Sequence, residues 1–227
     1  MKMLLIGIIV VLALGASIGG YALMNHMFGN YGLSPYSQSY NGNGYPTTYG
    51  TLIPVQQAIT LMKSPPSYVH VFTNNNSIVF TSQEINLVVL TMGHKRAENL
   101  TGRPSPTDGN VFVIYGLINP TLIIPQGATI HVTVINLDAG DYHNFVITTE
   151  APPYSYNLMM GGGMMQGGMM NGGRFITMMP LLPPANYQTG YAHEFQYTFT
   201  LHQGEFWYIC TYPGHAEGGM YGEIIVA

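Results

Sequence analysis

The chain has 227 residues, of which 47% are hydrophobic, and this is enough for one sizeable core. Only 7% are charged, and six Lys and Arg residues are too few for a basic stripe, so the composition argues against nucleic-acid binding. A surface with so few ionisable groups suits an acidic exterior, where carboxylates lose their charge and the eight histidines gain one.

The N-terminal segment predicts a membrane anchor. Residues 3–24 carry no charge and are long enough, as a helix, to cross a hydrocarbon core of about 30 Å. Because a cleaved signal has a shorter apolar region of about 7–15 residues, we favour an uncleaved single-pass anchor over residues 1–27, with Lys2 on the cytoplasmic side. A cleaved signal is the alternative. The remainder of the chain is then predicted to lie outside the cell, at the membrane.

Two short segments follow the anchor. Residues 28–50 are rich in Gly, Tyr, Ser and Asn, lack charge and show no apolar period, so they predict a linker. Pro54 and the apolar positions Val55, Ile59 and Met62 then predict a short accessory helix over residues 54–64. We place a single folded domain at residues 51–227.

Short strands dominate the predicted elements after this helix. The β-branched or aromatic runs bounded by turn residues are 68–73, 77–81, 85–92, 110–116, 121–124, 129–138, 142–149, 193–201, 205–210 and 221–227. Residues 93–99 form a polar run that predicts a turn. Many short strands with Gly and Pro turns indicate an all-β sandwich rather than an α/β sheet.

Residues 158–173 are unusual, because three Met pairs alternate with glycines. Such a segment predicts a mobile loop. Three roles remain open for it: a spacer, an adaptable docking surface, or a second site for copper(I). Two sequons, at Asn75 and Asn99, are candidate glycosylation sites outside the cell.

The last strands contain a set of candidate metal ligands. Cys210, the only cysteine, cannot form an internal disulfide, and it is followed at five-residue intervals by His215 and Met220. Thiolate and thioether are soft ligands, and with an imidazole they favour copper over magnesium, calcium or manganese. A site of the His₂Cys type needs a second histidine. His143, at the start of an apolar strand, is the better candidate, and His193 is the reserve.

The other histidines are weaker candidates. One lies beside the membrane, one in the polar run, and three in alternating strands, where a surface or hydrogen-bonded histidine is the commoner case: His26, His94, and His70, His131 and His202.

Three stretches of the sequence resemble the cupredoxins, the small blue copper proteins. They are "IIPQGATIHVTVINLD", the following "HNFVI", and "WYICTYPGHAEGGMYGEIIV". The Cys-x4-His-x4-Met spacing is most similar to the sulfocyanins of archaeal acidophiles and next to the rusticyanins. The resemblance covers residues 65–227.

The resemblance implies a Greek-key β-sandwich and one type 1 copper bound by His143, Cys210, His215 and Met220. It also implies that Asn144 links the two ligand-bearing segments and donates its backbone N–H to the sulfur.

The implied function is that of an electron carrier in an acidophilic archaeon, not of an enzyme. Expected partners are respiratory-chain proteins such as a cytochrome or a terminal oxidase, and we do not expect an oligomer. A multicopper oxidase or copper nitrite reductase often needs histidines directly beside the cysteine, whereas Ile209 and Thr211 flank it here. An extracytoplasmic copper chaperone or storage protein remains the alternative.

Overall fold

The computed structural model of the chain describes residues 50–157 and 174–227. The strands in these ranges are β1 (Thr51–Pro54), β2 (Val69–Phe72), β3 (Ser77–Phe80), β4 (Glu84–Gly93), β5 (Asn110–Ile114), β6 (Leu117–Ile118), β7 (Thr121–Ile124), β8 (Thr129–Asn136), β9 (Val146–Thr148), β10 (Tyr191–Thr200), β11 (Gly204–Ile209) and β12 (Tyr221–Val226). The helices are α1 (Val55–Lys63) and α2 (His94–Thr101).

The strands form two six-stranded sheets. Sheet one has the order β1-β10-β8-β4-β5-β6, and sheet two has the order β2-β3-β7-β12-β11-β9. Both sheets contain parallel pairs, namely β4 with β8 in sheet one and β7 with β3 and β12 in sheet two. Parallel neighbours cannot be joined by a tight turn and need long connections. In this chain those connections include strands of the opposite sheet, so the chain passes repeatedly from one sheet to the other.

The main core lies between the two sheets. Alternate residues of β8 and β12 are buried, as expected for strands with one face on a core. At its centre the rings of Phe112, Phe145 and Tyr208 pack with centroids 5.0–5.4 Å apart. Tyr208 is fully buried, and its hydroxyl donates to the Pro120 carbonyl at 2.6 Å, so its polar end is satisfied.

A second, smaller core covers the other face of sheet one. Ala58 and Met62 of α1 are buried there in one cluster with Leu90 and Met92 of β4. The accessory helix predicted over residues 54–64 is therefore confirmed as α1, and each predicted β run contains a strand. The prediction of a mostly β, two-sheet fold is confirmed.

The prediction of a turn over residues 93–99 is wrong, because this polar run forms α2. Only Ala97 of the helix is fully buried, so the sequence shows no apolar stripe. The helix ends at Thr101 and is capped by Gly102, whose φ of 69° lies in the left-handed region that glycine adopts readily. Residues 50–157 and 174–227 thus contain two helices, where only the accessory helix was expected in these ranges.

The predicted anchor (1–27), all but the last residue of the predicted linker (28–50) and the Met-rich segment (158–173) lie outside the described residues. In the two ranges that the structure describes, no helix is long and apolar enough to cross a bilayer. The anchor and the domain boundaries stay predictions.

Candidate metal centre

Three of the predicted ligands meet at one end of the sandwich. The nearest ligand atoms of His143, Cys210 and His215 all lie within 4.8 Å of one another. Cys210 Sγ is 3.7 Å from Nδ1 of His143 and 3.4 Å from Nδ1 of His215. Nδ1 of both imidazoles therefore faces the sulfur, so these three atoms could bind one metal ion.

His143 is placed by the segment that leads into β9. Its backbone N–H donates to Leu182 O at 3.2 Å, and its carbonyl accepts from Leu182 N–H at 2.7 Å. The residue is fully buried. Two hydrogen bonds to a neighbouring strand-like segment thus fix the backbone from which the imidazole extends.

The loop from Cys210 to Met220 closes on itself. Cys210 N–H donates to the Met220 carbonyl at 3.3 Å, and Met220 N–H donates to the His215 carbonyl at 2.9 Å. Met220 is fully buried where the chain enters β12. These bonds bring the thiol, the second imidazole and the thioether residue together within one short turn.

A glycine sets the shape of this loop. Gly214 has a φ of 81°, and an added Cβ would lie 3.0 Å from the ring of Tyr156. Gly214 N–H also donates to the Tyr156 carbonyl at 2.9 Å. The loop therefore packs tightly against Tyr156, beside the partly exposed His215.

Asn144 connects the two ligand-bearing segments, as the cupredoxin resemblance implied. Its side-chain amide donates to Thr211 Oγ1 at 2.8 Å, and its Oδ1 accepts the Thr211 backbone N–H at 2.8 Å. The backbone N–H groups of Asn144 and Tyr212 also face the Cys210 sulfur. This link holds His143 and Cys210 at a fixed separation.

Burial controls the protonation of the cluster. It raises the pKa of the Cys210 thiol to about 12, although the N–H groups of Asn144 and Tyr212 act in the opposite direction. Burial, together with the neighbouring His143, lowers the pKa of His215 to about 4 against the opposing effect of nearby carboxylates. The metal-free site therefore holds a neutral thiol and a neutral His215 at mildly acidic pH.

A second layer of polar side chains lies behind the imidazoles. Asn110 Nδ2 is 3.2 Å from His215 Nε2 and donates to Asp141 Oδ2 at 2.8 Å. Asp138 Oδ2 lies 3.7 Å from His143 Nε2. Burial would raise the pKa of the Asp138 carboxyl, but the adjacent His143 and the hydrogen bonds from the backbone amides of Gly140 and Asp141 outweigh it, so the pKa lies well below its usual range.

The remaining histidines of the described ranges lie elsewhere. His193, the reserve ligand, is in β10 and is not part of the cluster, and burial lowers its pKa. His131 is exposed on β8 between Thr198 and Glu84. Within residues 50–157 and 174–227, the cluster of His143, Cys210 and His215 is the one group of three such side chains that could hold a metal ion.

Sequence reasoning missed Asn110 and Asp138. Asn110 comes from the start of β5, 105 residues before His215, and no local pattern indicates that contact. Asp138 lies five residues before His143, and its only signal was its place in the turn after β8.

The donor set fits copper. Two imidazole nitrogens and one buried thiol, with a buried methionine on the same loop, are the ligands of a blue copper site. No family model matches the chain. Rusticyanin of Acidithiobacillus ferridurans is 32% identical over 161 residues, which cover 67% of this chain and 68% of that protein.

The chain belongs to the rusticyanin family. A rusticyanin of Acidithiobacillus ferrooxidans is 30% identical over 161 residues, which cover 83% of its length. The solved structure of rusticyanin from Thiobacillus ferrooxidans matches with a TM-score of 0.60 and 26% identity, covering 79% of this chain and 98% of the other. Reduced rusticyanin solved by NMR matches with a TM-score of 0.58 and 25% identity, covering 79% and 97%.

Rusticyanins are cupredoxins, which are electron carriers with one type 1 copper and not enzymes. The predictions of a cupredoxin, of copper and of a non-enzymatic role are thereby confirmed. The nearer resemblance to the sulfocyanins stays a prediction.

Proposed function

We propose that His143, Cys210, His215 and Met220 bind one type 1 copper, and that the chain passes single electrons between respiratory-chain partners outside the cell. The observation that carries this proposal is that Nδ1 of both imidazoles faces one buried sulfur, at 3.7 and 3.4 Å. When bound there, copper supplies a centre that gains or loses one electron. The surrounding residues determine how far the ligands rearrange when the copper changes its oxidation state.

The protein contributes a rigid set of ligands and excludes water from them. The backbone of His143 is tied to Leu182, and the Cys210–Met220 loop is closed by its own hydrogen bonds. His143, Cys210 and Met220 are fully buried, so water has little access to the ligands. A donor set that stays in place in both redox states keeps the reorganisation small, and this favours fast electron transfer.

His215 is the proposed point of electron entry and exit. It is the one partly exposed member of the three-residue cluster. The adjoining surface includes the ring of Tyr156, which is 60% exposed and uncharged. A partner such as a cytochrome or a terminal oxidase would approach His215 over this ring.

The test is the visible spectrum of the copper-loaded chain. We expect strong thiolate-to-copper charge transfer in the oxidised form, and we expect Cys210→Ser and His143→Ala to abolish it. His193→Ala is the matched control and should keep the colour, because His193 lies outside the cluster. A colourless loaded protein would contradict the proposal.

The alternative, a copper chaperone or store, would hold copper(I) exchangeably and remain colourless. The fully buried Cys210 argues against ready exchange. Reversible bleaching and recovery of the colour on reduction and oxidation would separate the carrier from the store.

The proposed location is the outer face of the cell membrane of an acidophilic archaeon. The apolar segment 3–24 and the low charge content support it. The full chain should sediment with membranes, whereas a chain that starts at residue 50 should not. Release of the full-length chain in soluble form would contradict the anchor.

A further inference from the structure

The turn after β8 fixes the direction of one carboxylate. Asp138 Oδ1 accepts the backbone N–H groups of Gly140 at 2.8 Å and Asp141 at 3.0 Å. The Asp138 backbone N–H donates to Asn136 Oδ1 at 2.9 Å. With one oxygen and the backbone held in this way, the second oxygen, Oδ2, is directed towards His143.

The imidazole of His143 needs a hydrogen-bond acceptor of this kind in the copper site proposed above. Its Nδ1 faces Cys210, so the ring proton must lie on Nε2 when Nδ1 binds metal. Nε2 is buried and has no hydrogen-bond partner within 3.5 Å, and Asp138 Oδ2 lies just beyond, at 3.7 Å. Within the described residues, His143 is also the only ion-pair partner of Asp138.

The two imidazoles have different neighbours behind them. His215 Nε2 faces the neutral amide of Asn110, whereas His143 Nε2 faces a carboxylate that is 13% exposed. A buried negative charge behind a ligand strengthens its donation and favours the more positive metal state.

We propose that Asp138 is a positioning residue that accepts the Nε2–H of His143, fixes the ring with Nδ1 towards the metal, and stabilises the oxidised form of the site. This inference rests on the copper site proposed above. The carboxylate of Asp138 would then lower the reduction potential of the copper.

The decisive variant is Asp138→Asn in the full-length chain. The amide oxygen of the new side chain still accepts from the backbone N–H groups of Gly140 and Asp141. Its NH₂ group then faces the Nε2–H of His143, so two donors oppose each other and no hydrogen bond forms. We expect the copper(II) affinity to fall about tenfold relative to that of copper(I). That ratio corresponds to a rise in reduction potential of about 59 mV for one electron.

The matched control is Glu84→Gln, which removes a carboxylate from another His–carboxylate pair. Glu84 Oε2 lies 3.0 Å from His131 Nε2, on the surface and outside the copper site. This variant should leave the potential unchanged. A blue Asp138→Asn protein with the wild-type potential would overturn the inference and leave the copper site intact.

Proton NMR of the wild-type copper(I) form tests the hydrogen bond without any substitution. We expect a slowly exchanging Nε2–H resonance of His143, shifted downfield by the carboxylate. A rapidly exchanging proton, or one with the shift of a free imidazole, would overturn the inference even if Asp138→Asn failed to fold. A colourless wild-type protein would instead overturn the proposed function.

Discussion

At the level of single residues, the site is governed by which ligand atoms carry protons. Burial raises the pKa of Cys210 to about 12 and lowers that of His215 to about 4. The thiol must therefore release a proton when it binds metal, whereas His215 is already free to bind down to about pH 4. The low pKa keeps His215 available as a ligand in acid, whereas the thiol proton of Cys210 competes with the metal more strongly as the pH falls.

The first prediction follows from these two pKa values. Because binding displaces the Cys210 proton, the apparent copper(I) affinity should rise about tenfold per pH unit between about pH 5 and pH 8. Below about pH 4, His215 is protonated in the metal-free form, and the dependence should become steeper. Competition with a copper(I) chelator measures the slope. His131→Ala should not change it, and an affinity independent of pH would contradict the assignment of Cys210 as a ligand.

Asn136 has a structural role that the ligands depend on. Its fully buried amide donates to the carbonyls of Asp141, Leu182 and Pro183 at 2.9–3.0 Å. Its Oδ1 accepts from Thr91 and from the backbone of Asp138. One side chain thus joins the turn before His143 to the segment that pairs with it.

The second prediction is that Asn136→Ala destabilises the protein by about 3 kcal/mol or more, because several buried groups lose their partners together. Denaturant unfolding of the metal-free protein measures the loss. Asn86→Ala removes an exposed amide from β4 and should change stability by less than about 0.5 kcal/mol. Equal effects of the two variants would show that the buried network contributes little.

At the level of elements, the pairing of β11 with β12 determines the geometry on both sides of the ligand loop. Tyr208 lies opposite Gly222 in this pair. An added Cβ at Gly222 would lie 2.1 Å from the Tyr208 hydroxyl oxygen and 2.2 Å from its ring. The glycine therefore makes room for the central aromatic ring of the core.

The third prediction is that Gly222→Ala destabilises the fold by about 3 kcal/mol, since Tyr208 must leave its place between the sheets or the strands must separate. Thermal unfolding measures the change. Gly140→Ala is the control, because its Cβ would meet nothing closer than Asp138 Oδ1 at 3.8 Å. A wild-type melting temperature for Gly222→Ala would contradict the tight packing.

Elements with a clear period or clear turn residues could be predicted from the sequence. The strands between Gly and Pro turns and the apolar stripe of α1 are of this kind. The structure also contains elements without such a signal. The helix α2 buries only Ala97, and β1 and β6 have four and two residues, which is too short for an alternating pattern to be recognised.

At the level of the whole molecule, the site joins the two sheets. The cluster residues flank β9, β11 and β12, which belong to sheet two. The groups behind the imidazoles, Asn110 and Asp138, come from β5 and from the end of β8, which belong to sheet one. The orientation of the ligands therefore depends on the packing of the complete sandwich.

This arrangement explains how much of the site the sequence could predict. Cys210, His215 and Met220 lie on one short loop, so their spacing alone indicated a metal site. His143 is 67 residues from Cys210, so no spacing links the two. Its place at the start of an apolar strand favours it over His193, and the cupredoxin resemblance implies the full ligand set. Asn110 contacts its imidazole only through the packing of one sheet on the other, and no local pattern encodes this packing. Asp138 lies only five residues before His143, but its contact depends on the conformation of the turn after β8, which the sequence does not specify.

The last prediction concerns the N-terminal limit of the folded unit. Strand β1 pairs with β10 at four positions, buries Ile53, and places Thr51 Oγ1 3.0 Å from Glu194 Oε1. A chain that starts at residue 50 retains these contacts and should bind one copper with the full-length spectrum.

A chain that starts at residue 55 loses β1 and the burial of Ile53, which together are worth about 2–3 kcal/mol. Its melting temperature should fall by about 5–10 °C, while its copper spectrum should stay similar because β1 does not reach the cluster. Differential scanning calorimetry of the two shortened chains, each with and without copper, measures both effects. If the two chains melt at the same temperature, β1 is not part of the cooperative fold.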